Sequence, residues 1–227
     1  MTLILPRLYA IVDAEVLRRR GVGLREFAEA LKAAGVGLVQ WRDKSGSPQE
    51  VLAGAAVLRE VFLGGEGKTP RQAVELPDMG HPDVLLVMND RADLAVLAGF
   101  GGVHVGQGDL LPGDARRVVG AGAWVGVSTH NEGQVRVGDA SCADYVAVGP
   151  VFATGTKADV EPVIGLEGVR RARALTGKPI VAIGGITREN ARSVIDAGAD
   201  SVAVISGLLV EGESIEKVAR DFLEILR

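Results

Sequence analysis

Eight short runs rich in Val, Leu, Ile and Ala recur along this chain, with amphipathic stretches between them. The runs are Leu8–Val12, Leu38–Arg42, Val84–Met88, Gly102–Val105, Trp124–Val127, Tyr145–Val148, Ile180–Ile183 and Ser201–Ile205. Each is continuous or nearly so in apolar residues. That pattern predicts parallel strands buried on both faces and covered by helices. Leu24–Ala34 sets Leu24, Phe27, Ala28 and Leu31 on one helical face, and Gln49–Phe62 does the same with Val51, Leu52, Ala55, Leu58 and Val61. Thr187 reads as the N-cap of a helix that opens Arg188-Glu189-Asn190. Ser214–Leu226 carries Ile215, Val218, Phe222 and Leu226 in helical register. Eight such units in 227 residues predict an α/β fold, a single (β/α)8 TIM-barrel domain over 1–227. A doubly wound open sheet is the alternative. Gly64–Pro82 breaks the pattern with Gly, Pro and charge, and reads as a surface-loop insertion on the helix-to-strand side.

Composition narrows the function classes. Apolar residues are 47% of the chain and aromatics only 4%, so the core must be aliphatic. Thirty-one glycines suit tight strand–helix turns better than a helix bundle. A net charge of −4 argues against general nucleic-acid binding, so any anion site must be a local basic cluster. No apolar run approaches the roughly 20 residues that span a membrane, and Met1–Pro6 is too short for a signal peptide. Cys142 is the only cysteine, which rules out an intrachain disulfide and a Cys-based zinc site and fits a reducing cytoplasm. A second copy of the chain is admitted as a partner, since many barrels pair through surface helices.

Both architectures bind ligands beyond the carboxyl ends of their strands, so the residues that end each run form the candidate site. In the second run, alternation puts Gln40, Arg42 and Lys44 on one side and Trp41 and Asp43 on the other. Two readings stay open there: a binder of a polar ring and phosphate, or a strand-end salt-bridge cluster. The third run supplies Asn89 and Asp90, and the fourth leads to Gln107 and Asp109. Taken singly, Asp90 or Asp109 reads as a helix N-cap. Together, on adjacent strands, they read as a seat for Mg²⁺ and hence point to a phosphorylated substrate. Arg91 reads as a partner for Asp93 or a neighbour. Ser128 offers a hydroxyl and a backbone N–H to phosphate. His130 reads equally as a helix-start residue or a catalyst, and His104 as a hydrogen-bonded core histidine. After the sixth run, Thr154-Gly155-Thr156-Lys157 forms an anion-binding loop without nucleotide P-loop spacing. Gly184-Gly185 after the seventh run and Ser206-Gly207 after the eighth match a barrel phosphate site, where bare backbone N–H groups approach the anion. Two anion-binding regions imply two phosphorylated species, or one long one.

These residues resemble the thiamine phosphate synthase family, also called thiamine-phosphate pyrophosphorylase. The resemblance runs nearly end to end. It rests on Gln40-x-Arg42-x-Lys44, Asn89-Asp90-Arg91-x-Asp93-Leu94-Ala95, Gly102-Val103-His104-Val105-Gly106-Gln107-x-Asp109, Gly126-x-Ser128-x-His130, Asp144-Tyr145-Val146-x-Val148-Gly149-Pro150-Val151-Phe152-x-Thr154-x-Thr156-Lys157 and Ala182-Ile183-Gly184-Gly185-Ile186. It implies a Mg²⁺-dependent transferase that joins 4-amino-5-hydroxymethyl-2-methylpyrimidine diphosphate to hydroxyethylthiazole phosphate and releases pyrophosphate. It implies that Gln40, Arg42, Lys44, Asn89, Ser128 and Lys157 hold the pyrimidine diphosphate, with Arg42, Lys44, Ser128 and Lys157 as the catalytic set. Asp90 and Asp109 would hold Mg²⁺. Thr154, Gly155, Thr156, Gly185, Ile205 and Ser206 would hold the thiazole phosphate. The chain departs from the family at Gly102, where Asp is usual, and in the 64–82 insertion. Two rivals are an aminothiazole tautomerase-like isomerase on the same barrel and a non-catalytic phosphate-binding regulator.

Overall fold

The computed structural model describes residues 5–64, 84–154 and 162–227. Eight parallel strands are β1 (Leu8–Asp13), β2 (Leu38–Arg42), β3 (Leu85–Asn89), β4 (Gly102–Val105), β5 (Trp124–Thr129), β6 (Tyr145–Val148), β7 (Ile180–Ile183) and β8 (Ser201–Val204). They pair in sequence order, and β8 returns to β1 with Tyr9 opposite Ala203, closing a barrel. The chain is therefore a (β/α)8 barrel, and the open sheet is excluded. Among the described residues the helices are α1 (Ala14–Arg20), α2 (Leu24–Ala34), α3 (Pro48–Leu63), α4 (Ala92–Ala98), α5 (Pro112–Val119), α6 (Glu132–Ala140), α7 (Gly165–Leu175), α8 (Ala191–Asp196) and α9 (Ile215–Ile225), with a 3-10 turn at Ser206–Leu208.

Local chemistry sets where these elements begin. The start of α3 is a capping box: the Ser47 hydroxyl accepts from the Glu50 N–H, and the Glu50 carboxylate accepts from the Ser47 N–H at 2.7 Å. Pro48 occupies the first turn, where its missing N–H costs nothing. Helix α2 stops at Gly35, which takes a left-handed conformation at φ +86°.

Strand side chains then divide by alternation. One set points outward to the helices. Trp41 lies there against α3, where a side chain at Gly54 would overlap its ring, and the indole N–H donates to the Val51 carbonyl at 3.0 Å. The other set fills the barrel: Tyr9, Ile11, Leu38, Val87, Tyr145, Ala147, Val181 and Ala203 are all buried. Burial of a side chain such as Leu38 stabilises by about 1.5–3 kcal/mol. The inward set continues to the carboxyl end of the barrel, where it becomes polar.

Some boundaries differ from those read off the sequence. Strand β3 ends at Asn89, β5 runs on to Thr129, and β8 ends at Val204, leaving Ile205 outside it. Thr187 is not a helix N-cap. The Asn190 carboxamide folds back, accepting from the Thr187 N–H at 2.9 Å and donating to the Gly185 carbonyl at 3.0 Å, so α8 begins only at Ala191. Residues 65–82 of the expected insertion lie outside the described residues. No helix among the described residues is long and apolar enough to cross a membrane.

Candidate active site

The first half of the barrel mouth is charged. Asp13 ends β1 almost fully buried, and its carboxylate does two things. One oxygen caps α1 by accepting from the Val16 N–H at 3.0 Å, and the other pairs with the Arg42 guanidinium across the neighbouring strand. Asp13 thereby aims Arg42, a role that the sequence reading missed. Its signal was a lone Asp between an apolar run and a helix. Two residues on, the Lys44 ammonium lies 3.1 Å from the Asp90 carboxylate. The Gln40-Arg42-Lys44 row does face one side, as alternation requires, with Gln40 deepest and buried.

Neither Asp90 nor Asp109 is a helix cap. Helix α4 begins at Ala92 after Arg91, and α5 begins at Pro112 after Leu111. Asp90 instead adopts a left-handed backbone at φ +60°, the one positive φ outside glycine among the described residues. Asp and Asn tolerate this region better than other side chains, and strain of this kind gathers at functional sites. Asp109 closes a tight turn, its carboxylate accepting from the Gly106 N–H at 2.8 Å. The Asp109 carboxyl is close enough to act on Asp90. Burial above all, and then the neighbouring Asp109, push the Asp90 carboxyl above its ordinary value, which Lys44 partly offsets. Such crowding of like charge is what a divalent cation relieves. No group of three or more His, Cys, Asp or Glu converges among the described residues. A pair of carboxylates suits Mg²⁺, which keeps waters and takes further oxygens from a phosphate.

Asn89 ends β3 directly before Asp90, in register with His104 on β4. His104 is the hydrogen-bonded core histidine that the sequence suggested, held by Tyr145 and Ser128. Ser128 on β5 is half-buried, and its carbonyl accepts from Gln107 at 2.6 Å. Arg91 pairs with Asp93 at 2.6 Å.

The second half of the mouth is a cavity of ≈ 360 Å³. Thr154, Gly185, Ile205 and Ser206 all line it. Gly184 and Gly185, at φ +104° and +63°, let the loop after β6 cross close above them. A Cβ on Gly185 would sit 2.6 Å from the Ala153 carbonyl oxygen. His130 lines the cavity and directly precedes the Asn131 cap of α6, as its helix-start reading expects. Its Nδ1–H donates to the Gly149 carbonyl at 2.7 Å. Arg20, at the end of α1, also lines this cavity, and nothing in its helix marks it from the sequence. Gly155, Thr156 and Lys157 lie outside the described residues.

Residues 8–208 match the thiamine monophosphate synthase family. The chain belongs to that family. As a member it is an enzyme, a transferase of thiamine biosynthesis. A thiamine-phosphate synthase from Koribacter versatilis is 51% identical over 224 residues, covering 98% of this chain and 96% of the relative. One from Methanoculleus marisnigri is 39% identical over 206 residues, covering 91% and 89%. A solved thiamine phosphate pyrophosphorylase from Pyrococcus furiosus superposes with a TM-score of 0.79 at 28% identity, covering 97% and 95% of the two chains. The barrel itself is shared more widely: a 3-hexulose-6-phosphate synthase superposes at TM-score 0.62 with only 16% identity.

Proposed function

We propose that this member of the thiamine monophosphate synthase family is a Mg²⁺-dependent thiamine phosphate synthase. It couples 4-amino-5-hydroxymethyl-2-methylpyrimidine diphosphate with hydroxyethylthiazole phosphate to give thiamine monophosphate and pyrophosphate. Its partners are these small molecules, and its place is the cytoplasm. The observation that carries the reading is the pair of neighbouring carboxyl groups, Asp90 and Asp109, with Lys44 3.1 Å from Asp90. An isomerase or a passive phosphate binder has no use for a divalent cation between two carboxylates and a row of cations.

In this reading the diphosphate lies over β2 to β5 and the thiazole phosphate over β6 to β8. Bound to Asp90 and Asp109, Mg²⁺ would neutralise charge on the pyrophosphate oxygens. Arg42, held by Asp13, keeps further N–H groups for the same anion, and Lys44 and Lys157 add positive charge. Ser128 donates a hydrogen bond. As pyrophosphate leaves, the electron-rich aminopyrimidine bears the positive charge on its exocyclic carbon, and the thiazole nitrogen attacks that carbon. Gln40 and Asn89 orient the ring. Gly185, Ile205, Ser206 and the 154–156 loop hold the thiazole phosphate, with Arg20 supplying charge. No protein nucleophile takes part, and positioning with electrostatics carries the rate. The test is incubation with both substrates, with and without Mg²⁺, scored for thiamine monophosphate and pyrophosphate. Turnover that is indifferent to chelation sinks the metal assignment. No coupling under any condition sinks the synthase reading in favour of the isomerase.

A further inference from the structure

A line of polar groups crosses the middle of the barrel, where the other inward side chains are mostly apolar. The Gln40 side-chain N–H₂ donates to the Tyr9 hydroxyl at 2.9 Å. Tyr9 and Tyr145 meet hydroxyl to hydroxyl at 3.1 Å. Tyr145 meets His104 Nδ1 at 3.1 Å, and His104 Nε2 meets Ser128 Oγ at 2.9 Å. Both tyrosines are fully buried. The line thus joins the two strands whose ends carry Gln40 and Ser128.

Its direction follows from counting hydrogens. An amide nitrogen can only donate, so the Tyr9 oxygen accepts from Gln40 and spends its single hydrogen on Tyr145. Tyr145 then spends its own hydrogen on His104 Nδ1. With Nδ1 accepting, a neutral imidazole carries its proton on Nε2 and donates it to Ser128 Oγ. A charged His104 would put two hydrogens into the gap to Tyr145. The Ser128 hydroxyl, its oxygen already engaged, turns its hydrogen to whatever anion sits beside it. Burial pushes both tyrosine hydroxyls well above their ordinary values, so neither loses its hydrogen near neutral pH.

A second observation shows that room is reserved for this line. Gly126 is in register with both His104 on β4 and Tyr145 on β6. A Cβ there would overlap the Tyr145 ring and its hydroxyl and crowd His104 Nδ1. The missing side chain lets the phenol and the imidazole stack at 5.6 Å between centroids, 23° from parallel.

We propose that Gln40, Tyr9, Tyr145 and His104 form a one-way hydrogen-bond relay that locks His104 as the Nε2–H tautomer and makes Ser128 a committed donor to the pyrophosphate. The proposal rests on the synthase reading for the anion, but not for the relay itself. Tyr9, Tyr145 and His104 are positioning residues: they act through Ser128 and touch no reacting atom.

Nitrogen-15 NMR of ring-labelled histidine on the wild-type protein tests the core claim without turnover. The expected spectrum gives His104 a protonated Nε2 and a bare Nδ1, its signal being the one that survives both His81→Gln and His130→Gln. A protonated Nδ1 overturns the relay even in a fully active enzyme, and this readout needs no core variant to fold. Tyr145→Phe keeps the ring but removes the donor to Nδ1, and Gly126→Ala displaces it. In each folded variant the tautomer lock should be lost. Affinity for inorganic pyrophosphate with Mg²⁺ should fall about tenfold, the equivalent of ~1.4 kcal/mol, while affinity for the thiazole phosphate stays unchanged. Tyr145→Phe with an unaltered histidine spectrum and unaltered pyrophosphate affinity overturns the proposal. A protein with the expected tautomer and pyrophosphate affinity but no coupling activity would keep the relay and sink the synthase reading alone.

Discussion

The two sides of the barrel mouth are built from different materials. Over β1 to β5 the lining falls to charged side chains: Arg42 is paired with Asp13, Lys44 with Asp90, and Asp109 lies beside Asp90. Over β6 to β8 it falls to backbone, with Gly184 and Gly185 in left-handed conformations beside the exposed Ser206. Charge in the first half suits an anion that must leave carrying more negative charge than it brought. Backbone N–H groups in the second suit one that only has to be held. In the proposed reading, that difference puts the leaving group over the charged side and the acceptor over the backbone side.

If this division is right, the largest loss should come from the charged side. Asp109→Ala is expected to cut Mg²⁺-dependent pyrophosphate release by at least about a hundredfold, in the range seen when one electrostatic group is removed from an active site. Its circular dichroism spectrum should match the wild type, and near-normal release would break the assignment. Next comes the backbone side. Ser206→Asp should raise KM for the thiazole phosphate by roughly ten- to a hundredfold through like-charge repulsion, leaving KM for the pyrimidine diphosphate unchanged. An equal rise in both would show that the halves are not separate.

A pH series sharpens the comparison further. The Asp90 carboxyl titrates above its ordinary value in the folded protein because of burial and Asp109. The folded, metal-free chain therefore holds that proton more tightly than the unfolded chain does. Stability from this group is full below the ordinary carboxylate range and is lost as pH rises through the raised value. Mg²⁺ binding should run the opposite way, weakening as pH falls through that value, because a protonated carboxyl is a poor ligand. The rise in melting temperature on adding Mg²⁺ should thus grow with pH, and a flat response would remove Asp90 from the metal site. The smallest effect expected is that of Asp13→Asn, which keeps the α1 cap but loosens the ion pair to Arg42. KM for the pyrimidine diphosphate should rise by about three- to tenfold, and an unchanged KM would make the pair purely structural.

Legibility followed distance along the chain. The strand runs were readable because a parallel barrel strand is buried on both faces, which leaves an unbroken apolar signature. Helix α2 was readable to the residue because its apolar stripe ends at a glycine. Thr187 does not cap the helix because Asn190, whose carboxamide reaches back over the same turn, starts it instead. The Gln40, Arg42 and Lys44 row was readable from alternation alone. Its two readings turned out to be compatible, since Arg42 and Lys44 are ion-paired and also face the mouth. The pairing of Asp13 with Arg42 was not readable, because Arg42 lies on the next strand, 29 residues along.

By itself the sequence determined the barrel and the family, since these rest on periodicities and motifs carried by consecutive residues. Only the tertiary structure decided whether Asp90 and Asp109 are caps or a neighbouring pair. A cap is a bond to the next turn of the same helix, whereas a pair requires two strands to bring their ends together. The buried line from Gln40 to Ser128 belongs to the structure for the same reason. Its members sit on five different strands, and what joins them is the register of a closed barrel.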